Sequence, residues 1–134
     1  MAQKNHLKIN FFGEISSKDK LACETTLFDC AARFNLTNSV EVEIMVVDKE
    51  KIAELNAKHR NKNQPTDVLS FPQSPFQTEH NILGSIVICT EVVAEKDEEL
   101  TDVIKHGFLH LLGFDHETED EKWQEAAKKI DCKL

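Results

Sequence analysis

Positive charge is scarce in this chain. Sixteen lysines and arginines stand against 24 aspartates and glutamates, a formal net charge of −8 at pH 7. The broad basic stripe with which most nucleic-acid binders neutralise phosphates is therefore missing. No run approaches eighteen consecutive apolar residues, which argues against a membrane-spanning helix. The first residues hold no basic segment followed by an apolar one, so no export signal is expected and a cytoplasmic location is. Cys23, Cys30, Cys89 and Cys132 form no CxxC pair. Neither a thiol redox motif nor a cysteine-rich zinc cage is expected, and the four read as small buried residues of a reducing compartment. Linker-like tracts, internal repeats and low-complexity segments are also missing.

What is present is an ordinary globular composition. With 134 residues, 40% hydrophobic and 30% charged, the chain is expected to form one domain over residues 1–134 with a real core. Leu7, Ile9 and Phe11 alternate as a strand, and so do Val40, Val42, Ile44 and Val46. Between them a helix from about Ser17 is read with Leu21, Phe28, Ala31 and Ala32 on one face. Asp48 can cap a second helix through Ile52, Leu55 and His59, which Pro65 prevents from continuing. A short strand around Val68, Leu69 and Phe71 follows, then an irregular stretch, residues 72–81, that could flank a cleft and holds His80. Residues 82–89 are almost continuously apolar, as in an interior strand. The tail from Glu117 reads as a final helix with Trp123, Ala126, Ala127 and Ile130 inward. The expected class is α+β, a small mixed sheet of about four strands packed with helices.

One segment stands apart: HGFLHLLGFDH, residues 106–116. His106 and His110 are four apart, so on a helix their rings leave one face about a turn from each other. Gly113 can adopt the left-handed conformation that ends a helix, returning His116 toward the first two. Three neutral imidazoles suit zinc, and three protein ligands leave a fourth position open. The spacing of four and then six recurs in zinc peptidases whose helix carries HExxH. In those enzymes the residue after the first histidine is a glutamate general base; here it is Gly107. Metal-assisted hydrolysis survives as a class, and peptidase activity loses ground. A closed structural site would need a fourth ligand from Asp115, Glu117 or Cys132, and nothing in their spacing favours one. Val103, Ile104, Phe108, Leu109, Leu111 and Leu112 make this a buried central helix carrying the metal motif.

A second segment, residues 55–72, places Lys58, His59, Arg60 and Lys62 around a helix end. Basic residues there are favourable with the helix dipole whatever their function. Alternatively, Arg60 offers a planar fork to a phosphate, which lysine does less well. Asp115 has three readings: orienting a histidine, acting as a base, or stabilising the turn.

Together the two segments resemble the YbeY family of bacterial endoribonucleases and ribosomal RNA maturation factors. A family pattern like HGxLHLxGYDH is matched by His106, Gly107, Leu109, His110, Leu111, Gly113, Asp115 and His116, with Phe114 where tyrosine is common. A pattern like LNxxYRxKDxPTDVLSFP is matched at Leu55, Asn56, Arg60, Lys62 and from Pro65 to Pro72; His59 and Asn63 depart from it. A third, GDIxI, appears as Gly84, Ser85, Ile86, Val87 and Ile88, with serine removing a charge near the expected cleft. The resemblance implies a zinc-dependent, single-strand-specific endoribonuclease acting on ribosomal RNA precursors in rRNA maturation and ribosome quality control. It implies one Zn(2+) per chain on His106, His110 and His116, with Arg60 as the other catalytic residue; Asp115, from its own place between ligand and turn, is the second catalytic candidate, with orienting a histidine as its first reading. Given the net charge, the small ribosomal subunit or its proteins are expected to supply part of the affinity; no membrane or DNA partner is expected. A metallohydrolase of another substrate class and a zinc-stabilised assembly module without turnover are the alternatives.

Overall fold

The computed structural model describes residues 7–35, 40–72 and 82–133. Element order is β1 (Leu7–Phe12), α1 (Ser17–Arg33), β2 (Val40–Val46), α2 (Lys49–Arg60), β3 (Val68–Pro72), β4 (Ile82–Ile88), α3 (Thr90–Glu95), α4 (Leu100–Leu111) and α5 (Asp120–Lys129). The sheet runs β1-β2-β4-β3; β1, β2 and β4 are parallel, and β3 is antiparallel to β4 at the edge. This is the expected α+β arrangement of four strands.

Local chemistry sets the helix starts. The Ser16 hydroxyl accepts the Asp19 amide at 3.1 Å, and the Asp48 carboxylate accepts the Lys51 amide at 2.8 Å, each satisfying an otherwise orphan donor. α2 stops at Asn61, which takes the left-handed conformation at φ 58°, four residues before Pro65 would have ended it.

Alternation along the strands sorts side chains to two faces. Val42, Ile44, Val68, Ile86 and Ile88 pack beneath α1, α4 and α5 in the main core. Leu69, Val87 and Cys89 face the other way, against Ile52 of α2 and Val92 of α3. α4 is the central helix: Val103, Ile104, Phe108 and Leu109 are fully buried, and it packs against α1, β3 and β4. Cys23, Cys30 and Cys89 are buried thiols, and burial pushes the first two up to about 12. Among the described residues no helix is long and apolar enough to cross a membrane.

One helix face differs from expectation. On α1 the buried stripe is Cys23, Thr26, Leu27, Cys30 and Ala31. Leu21 and Phe28 are exposed, and so is Ala32. Leu21 and Phe28 are seven apart and share a stripe, but Cys23 lies about 200° around from Leu21. The stripe through Cys23, Leu27, Cys30 and Ala31 is the one that joins the main core, where α1 packs against α4 and β1. α3, too short to show periodicity, was not expected at all.

Candidate metal centre

Gly113 does what the spacing requires of it. It sits at φ 98°, its amide reaches the His110 carbonyl at 3.0 Å, and the Phe114 amide reaches the Leu109 carbonyl at 3.0 Å. That paired closure ends α4 and turns the chain back. A Cβ at 113 would meet nothing within 4 Å, so glycine is needed there for backbone conformation, not for space.

The turn brings His116 to the two helical histidines. Ring centroids are 4.8 Å apart for His106 and His110, 5.9 Å for His106 and His116, and 6.1 Å for His110 and His116. One ligand nitrogen from each lies within 4.8 Å of the others, and among the described residues no further His, Cys, Asp or Glu joins this group. Cys132 is directed at the Asp102 carbonyl instead. The set could therefore hold a metal ion and leave a position open.

Two observations bear on the fit. His106 Nε2 and His110 Nε2 face each other at 3.2 Å; two nitrogens each about 2.0–2.1 Å from one zinc stand about 3.3 Å apart at a tetrahedral angle. Burial, followed by the neighbouring His110 charge, lowers His106 to about 4, with His116 and Arg60 acting in the same direction against Asp67. Burial likewise lowers His110, opposed by the Asp115 carboxylate and a backbone hydrogen bond at Phe114. Both shifts favour the neutral ring, the form a metal requires. His106 Nδ1 is buried with no hydrogen-bond partner among the described residues, so an ion held on Nε2 would have to offset an unpaired N–H, about 1–3 kcal/mol.

Beneath the trio lies Trp123 of α5, 3% exposed. Its ring stands 5.0 Å from His106, 5.0 Å from His110 and 5.2 Å from His116, centroid to centroid. Its inward direction was legible in the sequence; its contact with all three histidines was not, because nothing in helical spacing says what a tail helix lands on.

Gly107, the residue that replaces the peptidase glutamate, faces the sheet. A Cβ there would stand 2.9 Å from Ile86 Cγ2 and 3.3 Å from Ser70 Oγ, and the Ser70 hydroxyl donates to the Gly107 carbonyl at 3.1 Å. Position 107 is thus where α4 seats on β3 and β4, with no room for a side-chain base.

The trio opens on a cleft of about 360 Å³ at the β3 edge, lined also by His59, Arg60, Ser70, Phe114, Asp115 and Glu117. The structure therefore brings Arg60, from the far side of the sheet, to the same cavity as the histidines. Its placement depends on Asn56, 1% exposed: the Asn56 carbonyl accepts the Lys62 amide and its side-chain amide donates to Gln64 O at 2.9 Å, pinning the loop after Arg60. Asp115 lines the cleft too, but its Oδ1 accepts the Glu117 amide at 2.9 Å, the turn-forming reading, while its charge acts on His110. Ser85 is outside the cleft lining. It lies on the opposite sheet face, where its hydroxyl donates to Glu43 Oε1 at 2.9 Å, so the adjacent strand supplies a carboxylate beside it. His80 lies outside the described residues.

A small mixed sheet with a buried histidine helix, a returning third histidine and an arginine across one cleft is a layout that could hold a metal ion for hydrolysis. The chain belongs to the endoribonuclease YbeY family, whose profile matches residues 9–131. It is 42% identical to the endoribonuclease YbeY of Bartonella bacilliformis, over 80% of this chain and 77% of that one. With the Aquifex aeolicus endoribonuclease YbeY it shares 34% identity over 98% of this chain and 93% of the relative. The solution structure of TM1509 from Thermotoga maritima superposes with a TM-score of 0.56 at 28% identity, covering 92% of this chain and 87% of that one.

Proposed function

We propose that this protein is a zinc-dependent endoribonuclease that cuts single-stranded RNA during ribosomal RNA maturation and ribosome quality control. The observation that carries the reading is the convergence of His106, His110 and His116 within 4.8 Å on a cleft that also holds Arg60, in a chain of this family. The three imidazoles would hold one Zn(2+), which supplies Lewis acidity toward phosphate oxygen and a water acidic near pH 7.

The chain's own residues do the rest. Arg60 presents two N–H donors in a plane to the phosphate and offsets the charge that builds on it during displacement. Asp115 acts through His110: its negative field makes that ring a stronger ligand while its carboxylate holds the turn. Gly107 and Ser70 fix the helix against the sheet, so the ligand directions are set before the ion arrives. Because the net charge is −8 and, among the described residues, only Arg60 of the lysines and arginines lines the cleft, we assign part of the substrate affinity to the small ribosomal subunit or its proteins. Buried thiols with no disulfide among the described residues support a cytoplasmic location.

The test is cleavage of a structured RNA with single-stranded ends by zinc-loaded protein, run beside Arg60→Ala. Cuts confined to the single strands, reduced about 100- to 1,000-fold in the variant with zinc stoichiometry unchanged, are expected. Full activity of the variant on non-phosphate substrates would indicate another metallohydrolase. Absence of turnover, with unfolding on chelation, would indicate an assembly module.

A further inference from the structure

The α2 side of the cleft carries a ring pair that the metal chemistry leaves unused. His59 is exposed in the last turn of α2 and lines the cleft next to Arg60. Its ring lies against Phe71 of β3, centroids 4.4 Å apart and planes inclined at 50°. Phe71 is half-buried against the core beneath α2, so the imidazole is backed by a fixed surface and leaves its remaining area to the cleft.

Phosphate contacts alone are a meagre source of affinity in a chain with so few cations. Proteins that hold single strands add stacking of bases on aromatic rings, worth about 1–3 kcal/mol per base. A cavity of about 360 Å³ is at the small end of ligand-sized clefts, and it has the metal ligands and Arg60 on its walls. A nucleotide whose phosphate reaches both would present its base to the α2 side. Only an unstacked base has a face to offer, which a duplex does not.

We propose that His59, backed by Phe71, is the stacking platform for the nucleobase adjoining the phosphate that Arg60 engages, and so helps select single-stranded RNA. This rests on the endoribonuclease reading, and it deepens that reading by naming a base subsite. The experiment measures binding of fluorescent single-stranded oligoribonucleotides to zinc-loaded protein by anisotropy, independent of turnover. Wild type, His59→Ala and His59→Phe are compared on an intact strand, on strands abasic at successive positions, and on a duplex.

His59→Ala is expected to weaken binding of the intact strand by about 5- to 150-fold. His59→Phe, which keeps a ring, is expected to restore it. One abasic position should weaken wild type by a similar factor and erase the difference between wild type and His59→Ala. Zinc stoichiometry and thermal melts of both variants establish that the site is folded. Equal binding by wild type and His59→Ala, or an alanine defect that persists unchanged on every abasic strand, would overturn the proposal. Base-dependent binding through His59 without cleavage by any wild-type preparation would sustain the platform and refute the nuclease reading.

Discussion

Replacing Gly107 by alanine tests whether the histidines of α4 are aimed by the seat of that helix on the sheet. The added Cβ would stand 2.9 Å from Ile86 Cγ2 and 3.3 Å from Ser70 Oγ, against an ordinary carbon contact of about 3.5–4.0 Å. Ile86 is fully buried, and its γ2 methyl springs from the β-branch, where rotation is restricted. The helix must therefore back off by roughly 0.6–1 Å. Overpacking of this kind costs about 1–3 kcal/mol, and alanine's helix propensity returns about 1 kcal/mol over glycine. The net is a destabilisation of about 1 kcal/mol, read as a melting temperature lower by about 2–6 °C. His106 is the neighbouring residue, so zinc affinity is expected to fall about tenfold or more, as when supporting contacts of a ligand are disturbed. Calorimetric melting and zinc titration against a competing chelator measure both. A variant more stable by about 1 kcal/mol, with zinc affinity unchanged, would refute the reasoning, since it would show propensity acting alone and no steric seat at this position.

Two other perturbations follow from the same geometry. Trp123 is the chain's one tryptophan and touches all three histidine rings, so its fluorescence should shift on zinc binding; Trp123→Ala should weaken zinc uptake and Trp123→Phe largely retain it, and a zinc-insensitive emission would contradict the contact. Burial, with the Asp67 hydrogen bond and charge, raises Glu98 to about 7. For Asp67, burial pushes upward but is outweighed by the Glu98 hydrogen bond, Lys96, Thr66 and Val68, so it stays below its usual range. Glu98 thus favours the fold fully below 4.5, its model-peptide value, and that contribution is lost as pH rises through about 7. Asp67 does the reverse, losing its contribution as pH falls below the usual aspartate range. Urea midpoints followed from about pH 5 to 8 should therefore decline less in Glu98→Gln than in wild type, and an identical slope would count against the pair.

The candidate site was largely readable in the sequence because its geometry is local. His106 to His110 is one helical turn, and glycine takes the φ of 98° found at Gly113 without strain, so the convergence of three histidines follows from eleven consecutive residues. The Asp48 cap and the interior strand Ile82–Ile88 are local in the same sense. What the sequence withheld depends on contacts between distant segments. Which stripe of α1 faces the sheet was decided by the partner surface, with Cys23 and Cys30 winning over the larger Leu21 and Phe28. Ser85 finds its carboxylate on Glu43, 42 residues away. Gly107 looks like a missing catalytic base until Ile86 and Ser70 are seen to fill the space where its side chain would be. Arg60 and the histidines share a cavity only because β3, the edge strand, lies between α2 and α4.

The most direct measurement is the metal content and zinc affinity of the purified protein beside His110→Ala, by elemental analysis and competitive titration after dialysis. One tightly held zinc per wild-type chain, with none in a variant that still melts cooperatively, is the predicted result. A wild-type chain that takes up no zinc, or a variant that binds it as tightly, would contradict the convergence of the three imidazoles on one ion.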